Sequence, residues 1–388
     1  MQSVESIILN RASTPQKSRP RLAIFVSFSG TGGVERVTLN LLQGLSMQEE
    51  VAVDLLLVVA RRGTPPKVPW PNIRVIDLGV RHSQMAIWPL WRYLRAERPD
   101  VLMVAKDRAI RASIVAHWLA SSKTRLVGQL HMNMQGFLKG KSWWTRAMRL
   151  LPMRILFPSL SQVIAVSRGV AQDTLEITRM PADRVFSISN PVITPELSRA
   201  AEQEPDHPWF KGGPIAVVLG VGRLTPEKDF PTLIRAFAEL VRHREARLVL
   251  LGEGPLEGVL RAEVDRLGLN ERVDFAGYQS NPFCFMKRAS LLVMSSAWEG
   301  SGNVLVEAMA LGTPVVSTDC PFGPAETLAG GKYGPLVPVG DVPALARAME
   351  ETLAHPLPPD ILKEAVSDFE IGYSARRYLD VLFERHGP

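Results

Sequence analysis

Apolar positions along the chain follow two spacings in turn. Short unbroken apolar runs rich in β-branched and aromatic residues end in a glycine or polar turn. Segments with apolar residues every three or four positions follow them. The first run is "RLAIFVSF", residues 21–28; "SGTGG" ends it, and "VERVTLNLLQGL" then sets Val34, Val37, Leu41 and Leu45 at helical spacing. The cycle repeats with "VAVDLLLVV" and "VLMVA" as strands, "WPLWRYLRAERPD" and "RAIRASIVAHWLA" as helices, and "RLVGQLH", "QVIAVS" and "RVFSISNPV" as further strands. A second cycle opens at "PIAVVLGVGRL" and runs through strands "RLVLLGEG", "RVDFAGY", "LLVMSS", "PVVST" and "GPLVPVG". Its helices are "FPTLIRAFAELVRH", "LEGVLRAEVDRLGL", "NVLVEAMALG" and "VPALARAMEETLA".

Strands alternating with helices predict an α/β protein with parallel, doubly wound sheets, and the pattern running twice predicts two Rossmann-like domains facing a cleft. The expected boundaries are a flexible tail over 1–20, a first domain over 21–195, a polar Pro- and Gly-rich connection over 196–213 and a second domain over 214–368. A final helix in 369–388 is expected to pack back on the first domain.

Composition narrows the class. Hydrophobic residues are 46% and charged residues 22%, which is globular. No apolar run approaches the roughly 20 residues of a membrane span. The first residues lack the pattern of a secretory signal, and Cys284 and Cys320 form neither a disulfide framework nor a metal-like spacing, so a reducing cytoplasm is expected. Charge is divided unevenly. Residues 1–195 carry 26 Lys and Arg against 12 Asp and Glu; residues 196–388 carry 19 against 27. A basic first half fits an anionic partner or a solvated basic surface.

The candidate chemistry begins with "WEGSGNVLVEAMALG", where Glu299 and Glu307 flank a glycine turn. Glu299 follows a strand, where open parallel sheets bind ligands. Gly300, Ser301 and Gly302 permit close backbone approach, and Asn303 is a candidate N-cap for the helix carrying Glu307. Free amides at such a helix start attract phosphate or hydroxyl oxygens. The bland alternative is two surface glutamates. "GVGRLTPEKDF" adds Arg223 and Lys228 across one turn, a fork and a point charge able to converge on a diphosphate.

Taken together, "Gly-Arg-Leu…Glu-Lys" and the Glu-x7-Glu stretch resemble the donor site of retaining glycosyltransferases with two Rossmann-like domains, the GT-B fold of glycosyltransferase family 4 (group 1 glycosyltransferases). The resemblance covers roughly residues 20 to 385. It implies that Arg223 and Lys228 hold the nucleotide diphosphate, that Glu307 binds the ribose, and that Glu299 with Gly300 to Asn303 contacts the donor sugar. Gly277 and Tyr278 of "FAGY" would lie at the edge that reads the base. Gly32 and Gly33 of "SGTGGVERV" match the glycine loop near the donor phosphates, and His131 the histidine that approaches the donor sugar. As a lone histidine, His131 could equally be a loop or core residue. Ser301 stands where the family often has a bulky aromatic. A nicotinamide-binding loop is disfavoured, because Glu35 sits where its last glycine belongs.

Residues 137–160 mix Lys139, Lys141, Arg146, Arg149 and Arg154 with Trp143, Trp144 and several leucines. That composition suits a segment lying in a membrane interface or, alternatively, a core helix with basic flanks. The expectation is therefore a cytoplasmic enzyme, peripheral on the inner face of the cell membrane. It would be a retaining, metal-independent hexosyl- or N-acetylhexosaminyltransferase needing no cofactor. Its donor would be a nucleotide sugar, UDP-linked, and its acceptor a lipid-linked saccharide or cell-envelope glycan. The alternatives are a sugar-nucleotide epimerase or hydrolase of the same architecture and a basic nucleic-acid-binding module.

Overall fold

A computed structural model of the protein describes residues 19–28, 32–59, 66–138 and 140–384. Lys139 and nearly all of the expected N-terminal tail lie outside the described residues. The first sheet holds β1 (Arg21–Phe28), β2 (Ala52–Val59), β3 (Ile73–Asp77), β4 (Val101–Ala105), β5 (Arg125–Leu130), β6 (Gln162–Ala165) and β7 (Val185–Ser187), in the order β3-β2-β1-β4-β5-β6-β7. The second holds β8 (Ala216–Val221), β9 (Ala246–Leu251), β10 (Val273–Gly277), β11 (Leu291–Met294), β12 (Val315–Thr318) and β13 (Leu336–Val337), in the order β10-β9-β8-β11-β12-β13. The strand pairs in both sheets are parallel. This is the expected architecture of two Rossmann-like α/β domains.

Helices α1 (Gly33–Ser46), α2 (Ile87–Glu97), α3 (Asp107–Ala120), α4 (Met134–Phe137), α5 (Trp143–Leu156) and α6 (Arg168–Thr178) belong to the first half. Helix α7 (Pro195–Ala201) lies in the connection. Helices α8 (Phe230–Leu240), α9 (Glu257–Arg266), α10 (Phe283–Arg288), α11 (Asn303–Ala310), α12 (Pro324–Thr327), α13 (Val342–Ala354), α14 (Pro359–Ala365) and α15 (Ile371–Leu382) follow.

The continuous apolar runs form central strands because both faces of each sheet are covered. All five residues of β4 are buried, and its neighbours β1 and β5 are nearly so. Each fully buried Val, Leu or Met contributes roughly 1.5–3 kcal/mol. Apolar clusters sit on either face of each sheet. Strand β3 was not expected: it lies at the sheet edge with a mostly exposed "IRVID", so it has no apolar run to betray it.

The last helix returns to the first domain. Ala375, Tyr378, Leu379 and Leu382 of α15 join the core beside α1. Gln129 Nε2 donates to the Tyr378 hydroxyl at 2.6 Å, and Arg125 Nη1 to the Leu382 carbonyl at 2.9 Å. The two helices meet at Gly44, where a Cβ would lie 2.5 Å from the Ile371 carbonyl oxygen.

The chain thus crosses between domains twice, and the crossings are bonded to each other. Ile193 N–H donates to the Phe369 carbonyl at 3.0 Å, and Ile371 N–H to the Ile193 carbonyl at 3.1 Å. The connection itself is not irregular. It carries α7 and a 3-10 turn at Pro208–Phe210, tied to the second domain by Asn281 Nδ2 on the Ala200 carbonyl (2.8 Å) and by His207 Nε2 and Asp274 (2.9 Å).

Candidate active site

In both sheets the strand order reverses beside the first strand, β1 or β8, and loops leaving the strand C-termini there form a crevice. The loop after β8 is stitched to the loop after β11. Ser295 Oγ donates to the Lys228 carbonyl at 2.9 Å, and Ala297 N–H to the Glu227 carbonyl at 2.8 Å. Lys228 Nζ donates to Glu299 Oε1, which also accepts from Ser296 Oγ at 2.7 Å. Both charged side chains are largely buried. The neighbouring Cys320 thiol is pushed up to about 12 by burial and then by the Glu299 carboxylate, so it stays protonated.

Arg223 does not join this pair. Its side chain is 77% exposed and donates to Glu227 at 2.9 Å, one helical turn along. The expected convergence of Arg223 and Lys228 is therefore absent from this arrangement: Lys228 sits inside the site and Arg223 at its rim.

Glu307 is buried in α11, and its carboxylate accepts from Arg36 of α1, in the other domain. Burial holds the Arg36 guanidinium below its ordinary value. Asn303 is not the N-cap. Gly302, at φ +67°, takes that place, and the Asn303 carbonyl oxygen Oδ1 accepts from Asn190 Nδ2 at 3.0 Å. Left-handed backbone here asks for a glycine, and Asn303 is freed to bind across the domains. Gly277 closes β10 at φ +68°, with Tyr278 exposed beside it.

On the first domain, Gly32 caps α1 beneath Glu35, whose carboxylate turns back over the helix start; a Cβ at Gly32 would lie 2.3 Å from Glu35 Oε2. Lys106 Nζ braces this turn, donating to Glu35 Oε1 and the Ser27 carbonyl, each at 2.8 Å. At Gly33 a Cβ would meet open space. His131 follows β5, with its Nε2 shut off from water and unpartnered among the described residues. Burial and then the Lys106 cation lower it to about 4, against the opposing effect of Glu35, so the imidazole is neutral at pH 7. Its backbone abuts the loop after β11: a Cβ at Gly300 would fall 2.0 Å from the His131 carbonyl oxygen.

A cavity of about 700 Å³ lies between the domains, lined by Ser167, Arg168, Ser189, Ser301, Glu326 and Arg377 among others. Among the described residues no group of three or more His, Cys, Asp or Glu is arranged to hold a metal ion.

Arg36, Lys106, Ser167, Asn190 and Glu326 escaped the sequence reading. Glu35-Arg36 follows the glycines directly, but nothing local to that spacing marks Arg36 as the partner of Glu307. Lys106 meets Glu35 within the first domain, through a sheet-edge loop far from it in sequence, and Ser167, Asn190 and Glu326 gain meaning only when the domains face each other.

Helix α5 packs on α3 and α6. Ser142 caps it, and Met153 is its one buried residue. Trp144, Met148, Leu151 and Ile155 are each 56–64% exposed and fall on one helical stripe, with Trp143 beside them. Lys141 and Arg146 are also exposed, with Arg149 half-buried. The core-helix alternative therefore accounts for only part of this segment. Among the described residues no helix is long and apolar enough to cross a membrane.

The pattern of "Glycosyl transferases group 1" matches residues 202–368, and that of "Glycosyltransferase Family 4" matches residues 31–196. The lipopolysaccharide core biosynthesis glycosyltransferase LpsE of Rhizobium meliloti is 32% identical over 67% of this chain and 67% of its own. The N-acetylgalactosamine-N,N'-diacetylbacillosaminyl-diphospho-undecaprenol 4-alpha-N-acetylgalactosaminyltransferase of Campylobacter jejuni is 25% identical over 86% of this chain and 90% of its own. A shorter stretch, 29% of this chain, is 42% identical to an uncharacterized glycosyltransferase of Methanocaldococcus jannaschii and spans 28% of that protein. Anabaena HepE, solved in complex with UDP, shares the fold with a TM-score of 0.70 and 19% identity over 94% of this chain and 100% of its own.

The neutral His131 ring, with its Nε2 shut off from water, makes stability depend on pH. Between pH 6.5, the ordinary histidine value, and about 4, the unfolded chain binds a proton that the folded chain does not. Its contribution is full above pH 6.5 and is lost as pH falls toward 4, with a slope of up to about 1.4 kcal/mol per pH unit. Urea unfolding from pH 4 to 7 checks this: His131→Gln flattens the wild-type slope, and equal slopes would contradict the assignment.

Proposed function

Because the chain belongs to the group 1, family 4 glycosyltransferases, we propose that it transfers a sugar from a UDP-linked donor, with retention of configuration, to a lipid-linked saccharide or cell-envelope glycan. The observation that carries this reading is the half-buried Lys228–Glu299 pair at the carboxyl edge of the second sheet, with buried Glu307 one helix turn beyond. A buried cation held by a carboxylate can exchange that partner for a diphosphate without crossing into water. Lys228 then stabilises charge growing on the leaving group, and exposed Arg223 swings in from the rim as a planar fork. Glu299, released, accepts from hydroxyls of the donor sugar, and Glu307 from the ribose once Arg36 gives way. Gly277 and Tyr278 border the base.

No carboxylate is assigned as a nucleophile, so retention runs on one face of the sugar. The glycosidic bond to the diphosphate breaks as the acceptor oxygen arrives on the same side, and a phosphate oxygen takes the acceptor proton. Neutral His131 serves as a hydrogen-bonding partner for the sugar. The two side-chain cations do the charge neutralisation, and the reaction is proposed to need no metal or cofactor. UDP is the nucleotide found with HepE, and the diphospho-undecaprenol-linked acceptor in the Campylobacter relative's name, with the lipopolysaccharide core biosynthesis of the Rhizobium one, supports a lipid-linked or lipopolysaccharide acceptor. The α5 stripe, with Lys141, Arg146, Arg149 and Arg154, is proposed to rest on the anionic inner face of the membrane, where such acceptors reside.

Transfer of labelled sugar from nucleotide donors to a membrane extract tests the chemistry. Lys228→Ala lowers turnover about a hundredfold, on the order of 3 kcal/mol, while wild-type turnover persists in EDTA. NMR of the product shows the anomeric configuration of the donor. Near-normal Lys228→Ala turnover, an inverted product or conversion of the donor without any acceptor each contradicts the proposal.

Liposome co-sedimentation tests the surface. Each basic side chain near an anionic bilayer contributes about 1 kcal/mol and is screened by salt. Wild type sediments with anionic vesicles at low ionic strength, and the triple change Arg146→Glu, Arg149→Glu, Arg154→Glu stays in solution. Equal sedimentation of both proteins removes α5 as the contact.

A further inference from the structure

Three consecutive residues of the first domain, Ser167, Arg168 and Gly169, grip two loops of the second. They start α6, an 11-residue helix whose first amides lack intrahelical acceptors. Ser167 Oγ accepts from Val170 N–H at 3.2 Å. The other two amides are taken from across the cleft: Arg168 N–H donates to Glu326 Oε2 and Gly169 N–H to Glu326 Oε1, both at 2.9 Å. A carboxylate straddling a helix start gains from two charge-assisted bonds and from the helix dipole together.

The surroundings are shaped for this seating. A Cβ at Gly169 would fall 1.7 Å from the Phe322 ring, so the loop before α12 lies flat on the helix start. Phe322 adopts φ +67°, costly for a bulky residue and upheld only by what surrounds it. Gly323, next in the chain, touches the donor loop: its Cβ would lie 2.8 Å from the Ser301 carbonyl carbon. The donor loop in turn comes back to the same helix start, where Ser167 Oγ donates to the Gly300 carbonyl at 2.8 Å. The contacts close a ring from α6 through Glu326, Phe322, Gly323, Ser301 and Gly300 to α6 again.

We propose that Glu326 is a positioning residue: by seating on α6 it fixes the closed arrangement of the domains and holds residues 299–302 in place against the first domain. Glu326 bonds to backbone of the first domain and acts on the sugar only through the loop that Gly323 braces. The part concerning sugar transfer rests on the function proposed above; the cross-domain contact does not. Closure of this kind shuts water out of the crevice and sets the acceptor side against the donor.

Glu326→Gln tests it, since glutamine keeps the shape but has one accepting oxygen and no charge. Hydrogen–deuterium exchange of a peptide spanning residues 166–172, in ligand-free protein, is expected to quicken at least tenfold, with the melting temperature within a few degrees of wild type. In the transfer assay kcat falls at least tenfold, donor KM stays within about threefold, and a larger share of the donor is lost to water. Unchanged exchange overturns the contact. Faster exchange with unchanged kcat overturns the positioning role, as does a loss carried wholly by donor KM. If wild type transfers no sugar while exchange still quickens in the variant, the transfer reading and the positioning role fall together and the cross-domain contact stands.

Discussion

The parallel direction of the strands in both sheets is the constraint from which the rest follows. A parallel sheet delivers every strand's carboxyl end to one edge, and helix amino ends gather along that edge with their amides unpaired. Two such edges facing each other put the glycine turn at Gly32, the loop after β5 and the start of α6 opposite the loops carrying Lys228, Glu299 and Glu326. The return of α15 to the first core, and the bonding of both crossings at Ile193 and Glu370, keep the two edges in register.

Within that frame the charges along the crevice are matched before any ligand arrives. Lys228 has Glu299, Arg36 has Glu307, and Lys106 has Glu35. Taking one partner from a buried pair is costly, because the other is left uncompensated. In the reaction proposed above, a nucleotide diphosphate would replace anion with anion at Lys228, while its ribose would offer hydroxyls to Glu307 as Arg36 withdraws. His131, already neutral, is an uncharged hydrogen-bonding group beside the Lys106–Glu35 pair.

Much of this was legible in the chain. Buried central strands such as "VLMVA" announce themselves because both faces are covered, and the Glu299–Glu307 spacing with Lys228 pointed to the second-domain edge. What stayed hidden has physical reasons. Strand β3 is half solvated, so its pattern is weak. Asn303 looks like a cap by residue type, yet Gly302 in left-handed backbone takes the role. Arg36 and Glu326 act across 271 and 158 residues of sequence, on Glu307 and Arg168 respectively, and no local spacing encodes such a meeting. The exposed stripe of α5 was readable as composition, but only the structure separates its solvent face from Met153 and the core.

The central claim is that the edge of the second sheet holds a nucleotide, with Glu307 on the ribose. Calorimetric titration of UDP into wild type and Glu307→Gln tests it most directly. The account predicts a single site in wild type and an affinity at least tenfold weaker in the variant, or about 1.4 kcal/mol. Equal affinity in the two proteins, or no binding to wild type, would contradict it.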